Sequence, residues 1–241
     1  MDIGIGVVSY KRPKECTKVC QGILETINQT EHNFQLVCSL DQEDTTGYEW
    51  VMKNFKLISG KNKGVASNKN KALKRLQNND IIFLFEDDLV PKKKGWIDLY
   101  LKAIDETGMH HFNHSSLIHR DKLLKIVRSR SFILCLYEKN AAQLMVMTRK
   151  VIDEVGAFDE RYGKFGFEHS DYTRRCKTAG LCNPPHHDMH PFILESCLYF
   201  EELNIPRTLS PNEIETHTNE AHKIYMDFDP KRIYIPFPEG E

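Results

Sequence analysis

Two rhythms of apolar and polar positions organise the first ninety residues. Ile3 to Val8 is short, apolar and β-branched, the pattern of a buried strand. Pro13 then suits the first turn of a helix, in which Val19, Cys20, Ile23, Leu24 and Ile27 recur at helical spacing. Phe34 to Leu40 reads as a second strand ending in the acidic loop Asp41-Gln42-Glu43-Asp44. Tyr48 to Phe55 fits a short helix, and Lys56 to Ile58 a short third strand. Val65 to Gln77 predicts a helix with Ala66, Leu73 and Leu76 inward. Ile81 to Phe85 is the strongest strand signal and runs directly into Glu86-Asp87-Asp88. Strand and helix therefore alternate, which predicts a parallel sheet with right-handed crossovers.

The second half is less regular. Trp96 to Thr107 predicts a helix stopped by Gly108, and Phe132 to Tyr137 and Gln143 to Met147 are strand candidates. Thr148 is placed to cap a helix over Arg149 to Val155 that Gly156 closes, and Asp171 to Ala179 predicts another closed by Gly180. Beyond Asn183 the chain turns rich in Pro, His and acidic residues, and no regular element is predicted there. No linker interrupts the pattern, so one domain over 1–241 is expected.

Composition narrows the class. The 241 residues carry 33 Lys+Arg against 34 Asp+Glu, a formal charge of -1, which argues against a general nucleic-acid binder. At 40% hydrophobic and 28% charged, the chain is an ordinary globular protein. No apolar run approaches the ~20 residues that span a bilayer, and the first residues show no secretory signal, so a cytoplasmic protein is expected. The seven cysteines include no Cys-x-x-Cys pair, which predicts reduced, buried thiols.

In a parallel open sheet, ligands bind beyond the carboxyl ends of the strands. Three loops should converge there: Ser9 to Pro13, Asp41 to Asp44, and Glu86 to Val90. Three successive acids after a buried strand repel one another unless a cation or solvent separates them. Hard ions such as Mg2+ or Mn2+ take carboxylate oxygens and commonly bridge to phosphate. A second polar cluster, Glu168, His169 and Asp171, falls at a helix start. There it serves either as dipole-matched capping or as a general base with an orienting partner. His110, His111, His114 and His119 lack the spacing of a structural zinc site. Trp96, Tyr100, Tyr162, Phe165 and Phe167 are either core or a sugar-stacking surface, with Tyr162 and Phe165 the better stacking candidates.

Taken in order, VVSYKRP, NKGVASNKN, the acidic motif and TRKVIDEVGAFDERYGKFGFEHSDYTRR resemble the nucleotide-sugar glycosyltransferases of the GT-A fold, glycosyltransferase family 2 in particular, over roughly Ile3 to Gly180. The resemblance implies a Rossmann-like open, mostly parallel sheet with helices on both faces. It implies a nucleotide-binding half over 1–91, an acceptor-side half over 92–200 and an irregular segment over 201–241. It also implies a metal-dependent transfer from a nucleoside-diphosphate sugar, UDP-linked by family habit, to a glycan, glycolipid or glycoprotein hydroxyl, with inversion.

By the same likeness, Ser9, Tyr10 and Arg12 would cradle the nucleotide, joined by Asp41, Asn62, Lys69 and Asp87. Lys69 stands where the family carries Arg. Glu86 and Asp88 match the metal-binding DXD motif, and His190 (alternatively His187 or His217) would complete the shell around Mn2+ or Mg2+. Glu168-His169-Ser170-Asp171 matches the acceptor-side motif, with His169 at the position of the usual catalytic carboxylate. The base is then His169 or Glu168, and Asp171 is an orienting partner. Two other readings stay open: a sugar-1-phosphate nucleotidyltransferase, which would normally show glycine in the 9–13 loop, and a module that binds sugar nucleotides without chemistry.

Overall fold

The computed structural model describes residues 1–27, 31–115, 122–137, 141–182, 192–194 (backbone only) and 199–239. Its centre is a nine-stranded sheet. The parallel block comprises β1 (Asp2–Ser9), β2 (Asn33–Leu40), β3 (Lys56–Ile58) and β4 (Ile81–Glu86), in the order β3-β2-β1-β4. A short β5 (Leu89–Pro91) leaves this sheet to pair with β11 (Phe200–Glu202). The main sheet continues past β4 through β9 (Leu144–Thr148), β6 (His111–His114), β10 (Phe192–Leu194), β8 (Ile133–Tyr137) and β7 (Leu123–Arg128). Only β8 and β9 run against the other strands, so the expected mostly parallel sheet is present.

Helices α1 (Pro13–Ile27), α2 (Glu49–Asn54), α3 (Val65–Leu76), α4 (Trp96–Thr107), α5 (Arg149–Val155) and α6 (Glu168–Thr178) surround the sheet. The alternation Ile3-Gly4-Ile5-Gly6-Val7 explains the layering. Successive residues point to opposite faces of a strand, so the two glycines share one face. A side chain on Gly6 would press on Leu76, Ala72 and Leu84, so α3 sits close against β1 where no Cβ intervenes. Ile3, Ile5 and Val7 fill the opposite face and are wholly buried.

Strand and helix bounds in the first half agree with the sequence pattern to within a residue or two. Trp96 and Tyr100 prove to be core, packed edge-on against Phe83. Three expectations differ. The helix anticipated from Asp171 begins at Glu168, which puts the acids inside its first turn. Thr148 occupies the cap position of α5 without a side-chain capping bond; its hydroxyl pairs with His110 instead. The C-terminal segment, expected to be irregular, contains α7 (Pro211–Met226), started by a full capping box between Ser210 and Glu213 with Pro211 at the first position. Of the seven cysteines, Cys16, Cys20, Cys38, Cys135, Cys176 and Cys182 are free and buried, and Cys197 lies outside the described residues. Among the described residues no helix is long and apolar enough to cross a membrane.

Candidate active site

The ends of β1, β2 and β4 open into one cleft. This is the point where chain order reverses across the sheet, since β2 lies on one side of β1 and β4 on the other. The expected convergence of three loops is observed: Ser9, Tyr10, Arg12, Asp41, Asn62, Glu86 and Asp87 all line the cleft.

Their side chains form an interlocked set. Asp41 is buried and accepts the backbone N–H groups of Lys63 and Gly64, each at 2.9 Å, which ties the end of β2 to the start of α3. Burial outweighs these bonds and raises its pKa above the ordinary value. Gly64 has φ +104, and any side chain there would collide with the Gly163 carbonyl. The loop over Asp41 therefore rests directly on the backbone leading to α6. Asp87 accepts Ser9 Oγ at 2.7 Å and Arg12 Nη1 at 3.0 Å. Burial still pushes its carboxyl up to about 6, against the Arg12 charge.

The neighbouring acids differ from Asp87 and from each other. Asp88 Oδ1 is buried with no hydrogen-bond partner. Burial, then the charge of Glu86, push the Asp88 carboxyl up to about 7 in spite of a hydrogen bond from Gln143. Glu86 has a third of its side chain exposed and binds Lys69 Nζ at 2.9 Å. Among the described residues no group of three His, Cys, Asp or Glu side chains is arranged to hold a metal ion. Mg2+-like ions need no such cage, because they usually take one or two carboxylates and complete their shell with water and phosphate. Asp88 does not line the cleft, but its buried oxygen without a donor, close enough to Glu86 for that charge to act on it, meets that lesser requirement. His190 and His187 fall outside the described residues. His217 sits on α7, 3.5 Å from Glu220.

Lys69 departs most from its expected place. It is almost wholly buried and is not a lining residue of the cleft. Its ammonium bridges Glu86 (2.9 Å) and Glu168 (3.0 Å) and lies over the Phe158 ring. Burial opposes that charge, but the two carboxylates outweigh it and raise the pKa above the usual lysine value. Glu168 is the reciprocal case: burial works against its ionisation, yet Lys69 and His169 hold its carboxyl well below the ordinary range. His169 Nδ1 lies 3.5 Å from Glu168 Oε1, with about a quarter of the side chain exposed. Asp171 takes Arg175 at 2.8 Å and Arg174 at 3.5 Å. Arg175 in turn donates to the carbonyls of Val155, Ala157 and Ile233. Asp171 thus anchors the α6 scaffold.

Of the far wall, only Phe165 was singled out in the sequence. Lys164, Arg207, Thr208, Leu209 and Ile214 complete the cleft, with Phe165 between them under the Arg207 guanidinium. The strand-like stretch after β11 reaches the site through two bonds, Leu203 N–H to the Asp88 carbonyl and Arg12 Nη2 to the Pro206 carbonyl. Asn68, also missed, bonds Ser39 and the Ser9 carbonyl and so ties α3 to the ends of β1 and β2. Its position in the Asn68-Lys69-Asn70 run was the available signal.

No protein-family model matches the chain. An uncharacterised glycosyltransferase of Acanthamoeba polyphaga mimivirus is 24% identical over 188 residues, 73% of each protein. Among solved structures, S. aureus TarS 1-349 matches with a TM-score of 0.57 at 13% identity, over 96% of this chain and 73% of that one. The mannosyltransferase PcManGT from Pyrobaculum calidifontis, solved with GDP-Man and Mn2+, matches with a TM-score of 0.54 at 12% identity, over 74% of this chain and 52% of that one. The fold is that of the GT-A glycosyltransferases.

Proposed function

We propose that the protein is a glycosyltransferase that moves a sugar from a nucleoside-diphosphate sugar, UDP-linked by default, to a hydroxyl group of a glycan, glycolipid or glycoprotein. The observation that carries this reading is the meeting of the Ser9–Arg12 turn, Asp41, Glu86 and Asp87 around one cleft, at the strand ends of this fold. The likeness to named glycosyltransferases supports it. We place the nucleotide against Ser9, Tyr10, Asp41 and Asn62, and the diphosphate toward Arg12, Lys164 and Arg207. A bound Mn2+ or Mg2+ would supply charge stabilisation for the leaving diphosphate, held by Asp88 and Glu86.

In this reading the acceptor oxygen attacks the anomeric carbon as the bond to the phosphate oxygen breaks. The nucleoside diphosphate departs and the anomeric centre inverts. His169 removes the hydroxyl proton. A carboxylate held far below its ordinary range, as Glu168 is, accepts protons poorly. Glu168, itself held by Lys69, instead positions the imidazole, and Asp171 secures the helix that carries it. Action in the cytoplasm, as a single domain, completes the proposal.

The test is release of nucleoside diphosphate from UDP- and GDP-sugars with Mn2+, with and without hydroxyl acceptors. His169→Ala should lower turnover by about 10²–10⁴ and spare donor binding, whereas Asp88→Asn should weaken Mn2+-dependent donor binding as well. Donor bound without release under every acceptor tried, or wild-type turnover in His169→Ala, would contradict this mechanism.

A further inference from the structure

A second cleft, of about 980 Å³, lies behind α3 on the side away from the donor site. One wall is the outer face of the helix, where Lys71, Lys74 and Arg75 follow at positions i, i+3 and i+4 and so stand together. Lys63 and Glu160 close it from two loops, and the segment at Pro238 and Glu239 forms the opposite side, joined to the helix by Lys74 Nζ donating to the Pro238 carbonyl at 2.6 Å. Four cations thus line a concavity with two acids. Glu160 is engaged, accepting the Asn70 side-chain amide at 3.0 Å.

The informative residue is Lys71. It is more than nine-tenths buried, and its ammonium has no hydrogen-bond partner. A lysine ammonium has three protons to donate, and a buried charge without donors and acceptors matched is costly. Asp41 does not resolve this. Its nearer oxygen is 4.0 Å away, beyond hydrogen-bond reach, and both its oxygens already take backbone amides. Lys71 thus has Asp41 as a distant counter-charge but no acceptor for its protons, and its charge behind the wall of a basic cleft favours a second anion there.

We propose that this cleft is a binding site for a phosphate group, separate from the donor cleft. With Asp41 counted against Lys71, the cleft keeps one cation more than acids, which favours an anion such as a phosphate monoester, charged about 1.5 to 2 near neutrality. Its oxygens accept from Lys74 and Arg75, charge-assisted bonds of the strong kind, and the enclosed Lys71 ammonium adds its charge from behind them. The inference does not rest on the transferase reading. Asp41 links the two sites physically, since it lines the donor cleft on one side and faces Lys71 on the other.

The experiment is calorimetric titration of the full chain with inorganic phosphate at low ionic strength, alongside Lys71→Met, Lys74→Glu and Arg207→Ala. Phosphate binding weakened at least tenfold in Lys71→Met and Lys74→Glu, and retained in Arg207→Ala, supports the site. Lys74 is only half-buried, so its variant reports even if Lys71→Met fails to fold. Glycerol phosphate and glucose 1-phosphate separate the sources. Tighter binding of the esters identifies a phosphorylated molecule as the ligand, and tighter binding of phosphate identifies the free ion. The proposal is overturned if the wild type binds phosphate no better than chloride, if both lysine variants bind as the wild type does, or if only Arg207→Ala loses binding. None of these outcomes depends on sugar transfer, so the failure of one reading leaves the other standing.

Discussion

Replacing Lys69 with Met removes one ammonium from between two carboxylates that come from distant parts of the chain. Glu86 ends β4 and Glu168 begins α6. The two should respond unequally. Glu86, a third exposed, can turn to water and contributes little to the loss. Glu168, with 7% of its side chain exposed, cannot, and keeps only His169 at 3.5 Å. Stranding one partner of a buried pair typically destabilises by about 3–5 kcal/mol, and the Glu168 side should supply most of that here.

The pH dependence gives a sharper test. In the wild type, Glu168 titrates below its unfolded value, so it stabilises the fold above the unfolded pKa of roughly 4.3, and that stability is lost as pH falls toward the folded value. Without Lys69, burial dominates and the pKa rises above the unfolded value. Stability should then fall as pH increases, reversing the sign. Urea unfolding from about pH 3 to 8 reads both effects, the wild-type loss below about 4.3 and the variant's loss above it. The variant Lys69→Met/Glu168→Gln should recover most of the loss, because the stranded charge is gone. A Lys69→Met protein within about 1 kcal/mol of wild type at neutral pH, with an unchanged slope, would refute this account of the bridge.

Two further outcomes follow from the packing. Gly64→Ala should destabilise by at least about 3 kcal/mol, since its backbone region is essentially reserved for glycine and a Cβ meets the Gly163 carbonyl; a thermal midpoint near wild type would count against that contact. His111 is wholly buried, bonded to the Val146 carbonyl and Thr173 Oγ1, and burial lowers its pKa to about 4. The unfolded state therefore takes up a proton first, and roughly 3 kcal/mol of stability should be lost as pH falls from about 6.5 to 4; the wild type should show this slope and His111→Asn should lack it.

The parallel half of the fold was legible because each of its elements carries one unambiguous period. Strand β1 alternates Ile and Gly, and α1 repeats its apolar positions every three or four residues. The antiparallel half was harder to read. β6, spelled His-Phe-Asn-His, is buried in spite of its polar composition, because His111 Nε2 and the Asn113 side-chain N–H both bond Thr173 Oγ1 of α6. No hydropathy pattern reveals a strand whose polar side chains find their partners on a distant helix and a neighbouring strand. Strand β7 is exposed and short, and β10 and β11 have three residues each, too few for periodicity to register. Helix α7 did have a local signature, Ser210-Pro211-x-Glu213, which a search for capping boxes would have found.

The same distinction governs the site. Residues at strand ends were placed correctly because topology alone brings strand ends together. What topology cannot say is how each charge is partnered. Lys69 follows the Asn62–Asn70 motif into position, yet its neighbours come from β4 and α6, and they turn it from a reagent at the cleft into a brace between two walls. Asp87 owes its raised pKa to burial, and part of that cover comes from the 203–209 stretch, which lies over a hundred residues downstream and is tied down by Arg12 through the Pro206 carbonyl. Arg12 therefore has two tasks, neutralising Asp87 with one nitrogen and holding the far wall with another. Any change that releases the Pro206 contact should open Asp87 to water and lower its pKa toward the ordinary carboxylate value. The protonation of the acidic motif is thus coupled to the position of the C-terminal segment.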